Sequence, residues 1–132
     1  MAGFDWNTFY TIFKTKLEKA VKCTVGRYVT PKETNMPYVD LSIGDNFGGD
    51  YDLDGNESSQ NPLLVVTVYS TGSLADATCE QIGQAAKNIM LSYGFQCRGG
   101  PMPVTNAADP NIVRWVGRYQ RIFADGDELK QI

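Results

Sequence analysis

Hydrophobic residues near the start of the chain recur with the spacing of an α-helix. The apolar positions share one helical face, while the lysines between residues 14 and 22 mostly fall away from it. Asp5 or Asn7 can cap the start of this helix. The pattern predicts an amphipathic first helix whose apolar face packs in the core, with Trp6, Phe9, Tyr10, Phe13, Leu17, Ala20 and Val21 on that face.

Two segments in the middle of the chain have the patterns of β-strands. Val39, Leu41 and Ile43 alternate with Asp40 and Ser42, which is the period of a half-buried strand. The run 63–69 is almost continuously apolar and β-branched, and it is short enough to be a central strand. The residues between these two segments are therefore predicted to connect two strands.

A second helix is predicted after the central strand. The segment Ser73–Asp76 resembles a capping box with Asp in place of Glu, and Gly94 ends the helical pattern. Residues 95–98 then form a plausible short strand, and the following Gly-Gly-Pro-Met-Pro is expected to end it. The helical face that points to the core is predicted to contain Cys79, Ile82, Ala86, Ile89 and Tyr93.

The last predicted strand is unusually long. It begins after the turn signal Asp109-Pro110 and runs from Asn111 to about Phe123, which corresponds to roughly 40 Å. Both of its faces mix apolar and polar side chains, so the strand is expected to extend past its own core and contact a partner. The predicted interface residues are Arg114, Trp115, Arg118, Tyr119 and Arg121.

These elements predict an α+β fold with the order α-β-β-α-β-β. The simplest packing is a four-stranded, mainly antiparallel sheet with two helices on one face. The other face then needs cover, and Tyr38, Tyr69, Tyr119 and the Trp115 region are candidates for an apolar second face. Oligomerisation is the expected way to cover it.

Composition restricts the possible functions. A chain of 132 residues with 42% hydrophobic and 20% charged residues predicts one globular domain over residues 1–132. There is no apolar run long enough for a membrane helix, and the first residues do not resemble a secretion signal. Three widely spaced cysteines suit reduced thiols, and the absence of histidine disfavours nucleophilic triads and zinc sites. We therefore expect a protein that is not an enzyme, has no cofactor and does not bind membranes.

Negative charge is concentrated in one segment. Residues 40–61 contain six acidic side chains and no Lys or Arg, so this segment carries −6 and the rest of the chain, with a total of −3, carries +3. We predict an acidic loop at 45–61. A pI of about 4.8 argues against nucleic-acid binding, so the C-terminal arginines are expected to pair with acids on a neighbour. The acidic loop residues are Asp45, Asp50, Asp52, Asp54 and Glu57.

Part of this loop resembles the start of a calcium site. Asp50, Asp52 and Asp54 precede a glycine with the spacing of an EF-hand loop, but the twelfth position is Asn61 instead of a bidentate glutamate. Gly48-Gly49 also stands where a helix would be required. The three aspartates are thus weak metal candidates, and an acidic turn is the favoured interpretation.

Three segments together carry a family resemblance. They are the aromatic-rich first helix, the strand Pro62–Tyr69 followed by an Ala-rich helix that ends in Tyr93-Gly-Phe95, and the strand Asp109–Tyr119. In the order and spacing of these elements the chain resembles the tail terminator or neck proteins of long-tailed bacteriophages, also called minor capsid proteins.

The resemblance implies a structural virion protein. Such proteins form a ring, typically a hexamer, that caps the tail tube and offers a docking surface to the head connector protein, while DNA passes through without specific binding. The acidic loop would then face either the DNA channel or a basic docking surface on the adjoining tail or connector protein, or it is only solvated surface. The alternatives are another head-tail connector or tail tube component, or, from a different class, a calcium-dependent binding module.

Overall fold

The computed structural model describes residues 5–27, 36–48, 59–105 and 111–124. It contains two helices and six strands in the order α-β-β-β-α-β-β followed by a very short last strand. The elements are α1 (Trp6–Ala20), β1 (Thr24–Gly26), β2 (Tyr38–Gly48), β3 (Ser59–Thr71), α2 (Ala75–Ser92), β4 (Gln96–Val104), β5 (Ile112–Gln120) and β6 (Phe123–Ala124).

The first helix forms as predicted. The Asp5 carboxylate accepts hydrogen bonds from the backbone N–H groups of Asn7 and Thr8, at 3.1 and 3.4 Å, which confirms Asp5 as the cap. Phe9, Phe13 and Leu17 are fully buried on one face of the helix. The helical spacing of the apolar residues therefore correctly predicted both the helix and the face of it that packs in the core.

The strands form one mixed sheet in the order β1-β2-β3-β5-β4, and β6 pairs with the start of β3. β1 is parallel to β2, whereas the other pairs are antiparallel. The prediction of four strands in the order α-β-β-α-β-β is therefore wrong. β1 has only three residues, Thr-Val-Gly, which are too few to display the two-residue period from which strands are recognised.

Strand β3 lies at the centre of the sheet, and its side chains alternate between two environments. Leu64, Val66 and Val68 are buried in the single core cluster that includes both helices. Their neighbours at odd positions from 61 to 69 are only partly buried. Both helices thus pack on one face, as predicted, and we call the opposite side of the sheet the open face.

The predicted long final strand is interrupted. β5 pairs with residues 63–71 of β3, and β6 pairs with Ser59 and Gln60 of the same strand. Arg121 and Ile122 separate the two pairings and lie outside both strands. The prediction of a strand that extends past its core is therefore wrong, because β3, at 13 residues, is long enough to pair with both pieces.

The capping box predicted for the second helix does not form. Helix α2 begins at Ala75, its cap residue is Leu74, and no side chain caps it. The Ala75 N–H instead donates to the Gly72 carbonyl at 3.2 Å. Asp76, the expected capping carboxylate, accepts a hydrogen bond from Trp115 Nε1 at 3.1 Å, so a tertiary contact replaces the local one.

Strand β4 continues through the predicted breaker. Its pairing with β5 shifts register between Cys97 and Gly99 and again between Gly99 and Met102, so two irregularities accommodate the Gly-Gly-Pro segment. Gly100 has a φ of +79°, a conformation that favours glycine. Since β4 is the last strand of the sheet order, Pro101 and Pro103 can occur in it without interrupting a central ladder.

Aromatic side chains join the two helices to the sheet. The Phe9 ring lies 5.7 Å from the Tyr93 ring and 5.2 Å from the Phe95 ring, measured between centroids. Phe95 in turn lies 5.9 Å from Phe123 of β6. Phe9 therefore connects α1 with the end of α2 and with the residue that precedes β4.

Candidate functional site

The open face is the candidate site, because it presents partly buried apolar and arginine side chains away from the helices. Tyr38, Tyr69 and Arg114 share one cross-strand row over β2, β3 and β5. Val65 and Arg118 share another row on the same face. The remaining positions of the face are Asp40, Ser42, Leu63, Thr67, Ile112, Val116 and Gln120.

The tyrosine row is a packed polar and aromatic cluster. The Tyr38 and Tyr69 ring centroids are 6.4 Å apart. Burial, followed by the nearby Asp40 carboxylate, raises the pKa of both phenols, while Arg114 lowers that of Tyr69 through its charge and a hydrogen bond. Arg114 Nη2 also donates to the Thr105 carbonyl at 2.8 Å. The phenols are therefore neutral at physiological pH and can donate hydrogen bonds.

Gly26 of β1 gives the Tyr38 hydroxyl room. A Cβ built on Gly26 would lie 2.1 Å from the Tyr38 hydroxyl oxygen, which is much closer than any real contact. Tyr38 is consequently buried, with 4% of its surface exposed, although no helix covers its face within the described part of the chain. The edge of the open face next to β1 is thus preformed.

The structure divides the predicted interface residues between two sides of the sheet. Arg114 and Arg118 lie on the open face, and Arg118 is exposed. Tyr119 lies in the core with 1% exposure, and Trp115 packs against the core and contacts Asp76 on α2. Trp115 and Tyr119 are therefore structural and do not belong to the second apolar face proposed from sequence.

Arg121 follows β5 at the end of the open face. Its Nη1 donates to the Tyr93 carbonyl, and its guanidinium lies 4.1 Å from the centroid of the Phe123 ring. Alternation along β5 separates Arg114 and Arg118 from Trp115 and Tyr119. The register with the buried Leu64 and Val66 of β3 shows that the two arginines lie on the open face. Gln96 and Arg98 also border this end. They lie in the strand predicted at 95–98 but were not predicted as site residues, because its pairing with β5 is not visible in the sequence.

The acidic loop falls mostly outside the described residues. β2 extends to Gly48 and β3 begins at Ser59, so Asp45 and Asn61 belong to strands instead of the predicted loop at 45–61. Asp50, Asp52, Asp54 and Glu57, which include the three metal candidates, lie between the described ranges. Within those ranges, no group of three or more Cys, Asp or Glu side chains could hold a metal ion.

The three cysteines are free, and burial disfavours the reactive thiolate of Cys23 and Cys79. Cys79 is buried, and its Sγ lies 3.7 Å from the Val68 carbonyl oxygen. Burial raises the pKa of Cys79 to about 12 and that of Cys23 to about 11, from an ordinary value of 9.0. Cys79 and Cys23 are thus poor candidates for a nucleophile.

These raised pKa values predict a loss of stability at alkaline pH. Above pH 9 the unfolded chain releases thiol protons that the folded chain retains, so the stabilisation is complete below pH 9 and disappears as the pH rises towards 11 to 12. We expect Cys79→Ala to make the slope of unfolding free energy against pH shallower by about one proton at pH 10 to 11. Denaturant titrations of both proteins measure it, and identical slopes would contradict the assignment.

No helix in the described ranges is both long and apolar enough to cross a membrane. No protein-family model matches the chain, and no curated protein is significantly similar to it.

Proposed function

We propose that this chain is a structural virion protein, a tail terminator. Copies of it form a ring, hexameric by resemblance, that caps the tail tube protein and joins the tail to the head connector protein. The chain is made in the host cytoplasm and ends in the neck of the virion. The observation that carries the proposal is the open face, a preformed surface of aromatic, aliphatic and arginine side chains.

The size of the open face suits a subunit interface. Five strands at about 4.8 Å spacing and nine residues of β5 at about 3.3 Å each give a surface of roughly 20 by 30 Å. This is on the order of 600 Å², close to the roughly 800 Å² per partner of a stable protein interface. One more copy is thus large enough to cover the face.

The chemistry of the face also supports an interface. Tyrosine and arginine are enriched at the centres of interfaces, where they contribute most of the binding energy. Tyr69 and Arg114 are held in place by each other, and Tyr38 is held over Gly26. Because these side chains are already ordered, covering them costs little additional conformational entropy.

The segments that carry the resemblance support the same role. The first helix is α1, the apolar run and Ala-rich helix are β3 and α2, and the last strand is β5. All four elements contribute to one core. The resemblance thus concerns the elements that build the domain and not a peripheral extension.

Reversing the charge of Arg118 tests the proposal. Arg118 is exposed in the middle of the open face, so Arg118→Glu is expected to weaken ring formation by at least about 30-fold, which corresponds to roughly 2 kcal/mol at an interface hot spot. Light scattering gives the mass in solution, and electron microscopy of capped tail tubes gives assembly on the template.

Lys19→Glu is the matched control, since it makes the same charge change at an exposed position of α1. It should assemble like the wild type. A ring that forms and caps tubes equally well with Glu at position 118 would contradict an interface on the open face.

A further inference from the structure

A polar pocket of about 270 Å³ lies at the end of the open face where β5 stops. Gln96 and Gln120 are cross-strand partners that alternate with the core-facing residues Cys97 and Tyr119, which places the pocket on the open side of the sheet. Its polar lining is contributed by β3, β4, the end of β5 and the segment after it, and includes Asn61, Gln96, Arg98, Gln120 and Arg121.

The pocket is positively charged. Among the described residues that line it are two guanidinium groups and three side-chain amides, and none of these described residues is acidic. Arg121 is fixed by the Tyr93 carbonyl and the Phe123 ring, so its planar group is ordered before a ligand arrives. Arginine pairs with carboxylates through two parallel hydrogen bonds, and amide N–H groups add further donors. The lining therefore fits the carboxylates of an acidic peptide.

The same chain supplies such a peptide. Residues 40–61 carry six acids and no base, and the ten residues between Gly48 and Ser59 contain four of these acids. The sequence predicted that a basic docking surface could receive the acidic loop, and this pocket has the required charge.

We infer that the pocket around Arg98 and Arg121 receives the acidic segment, residues 50–57, of a second copy of this chain. The inference rests on the proposed ring, because a neighbour that covers the open face also reaches the pocket at its end. Such a contact is heterologous, with the pocket of one copy facing the acidic segment of the next, and this is the kind of contact that closes rings.

A charge exchange between two variants tests this pairing. The first variant is Arg98→Glu, which gives the pocket a negative charge at an exposed position. The second combines Asp50→Lys, Asp52→Lys and Asp54→Lys. Each variant alone opposes like charges and should self-associate at least tenfold more weakly than the wild type.

An equimolar mixture should restore assembly. In the mixture, the unchanged acidic segment of the Arg98→Glu variant contacts the unchanged pocket of the lysine variant. The lysines of the lysine variant contact the altered pocket of the Arg98→Glu variant, so both contacts again pair opposite charges. Docking within one chain cannot be restored by mixing, so the mixture separates contact between copies from contact within a copy. Mass in solution and capping of tail tubes are the measurements, with thermal unfolding of each variant as the folding control.

Normal assembly of Arg98→Glu alone would overturn the inference. Failure of the mixture, with both variants folded, would overturn it as well. If a variant does not fold, the salt dependence of wild-type assembly tests the inference instead. An ion-paired contact weakens between 0.05 and 0.5 M salt, a range over which the Debye length falls about threefold, so assembly that is equally strong at both concentrations would overturn the inference. The Arg118→Glu result stays separate, since a ring that needs Arg118 but not Arg98 supports the proposed function without this pocket.

Discussion

Phe9→Ala is expected to lower the free energy of unfolding by about 3–5 kcal/mol, the usual cost of removing a buried phenylalanine ring. Phe9 is fully buried, and its ring contacts connect α1 with Tyr93 and Phe95. Removing the ring leaves a cavity between a helix and the sheet that neighbouring rings fill only in part. Urea unfolding monitored by circular dichroism measures the change.

Leu74→Ala is the control for that experiment. Leu74 is 74% exposed, and its side chain makes no capping hydrogen bond at the start of α2. The expected change is within about 0.5 kcal/mol, as for most surface substitutions. A loss at Phe9 no larger than the loss at Leu74 would contradict the role of Phe9 in joining the helices to the sheet.

Gly100→Ala is expected to destabilise the protein by about 3 kcal/mol, because it combines two separate costs. The φ of +79° disfavours any residue with a side chain, and the new Cβ would lie 2.1 Å from the Val116 carbonyl oxygen. That oxygen belongs to the neighbouring strand β5, so the overlap is relieved only if the paired backbone moves.

Gly72→Ala isolates the first of these costs. Gly72 also has a positive φ, +95°, but no atom lies within 4 Å of its added Cβ. We expect a loss of about 1–2 kcal/mol at Gly72, the ordinary cost of this backbone conformation. Equal losses of stability in the two variants would show that the close approach of β4 to β5 at Gly100 does not contribute to the cost of Gly100→Ala.

The sequence predicted those elements that are long and periodic. Seven apolar positions defined α1, and the β-branched run placed the central strand, because burial of one face imposes a period that is visible without the structure. β1 was missed because three residues carry no period. The prediction of a capping box was wrong because the Asp76 carboxylate accepts a hydrogen bond from Trp115, which is distant in sequence. The residues next to Asp76 in sequence cannot indicate that a distant side chain will bind its carboxylate.

The candidate site was predicted only in part, for a related reason. Arg114 and Arg118 were predicted as interface residues of the last strand, but so were Trp115 and Tyr119, which lie on its opposite face. To decide which face of β5 points to the core, one needs the register between β5 and β3. Strand pairing sets this register, and it cannot be read from composition. The pocket at Arg98 was missed because it depends on the pairing of β4 with β5, which brings Gln96 beside Gln120.

The two outer strands of the sheet order protect this protein from edge-to-edge aggregation. β1 offers only three residues to an approaching chain, and β4 has two prolines among its nine residues and two shifts in register. Exposed edges of regular strands are templates for amyloid-like growth, and short, proline-containing or distorted strands block it. A protein with such edge strands can therefore associate through the faces of its sheet without also forming fibrils.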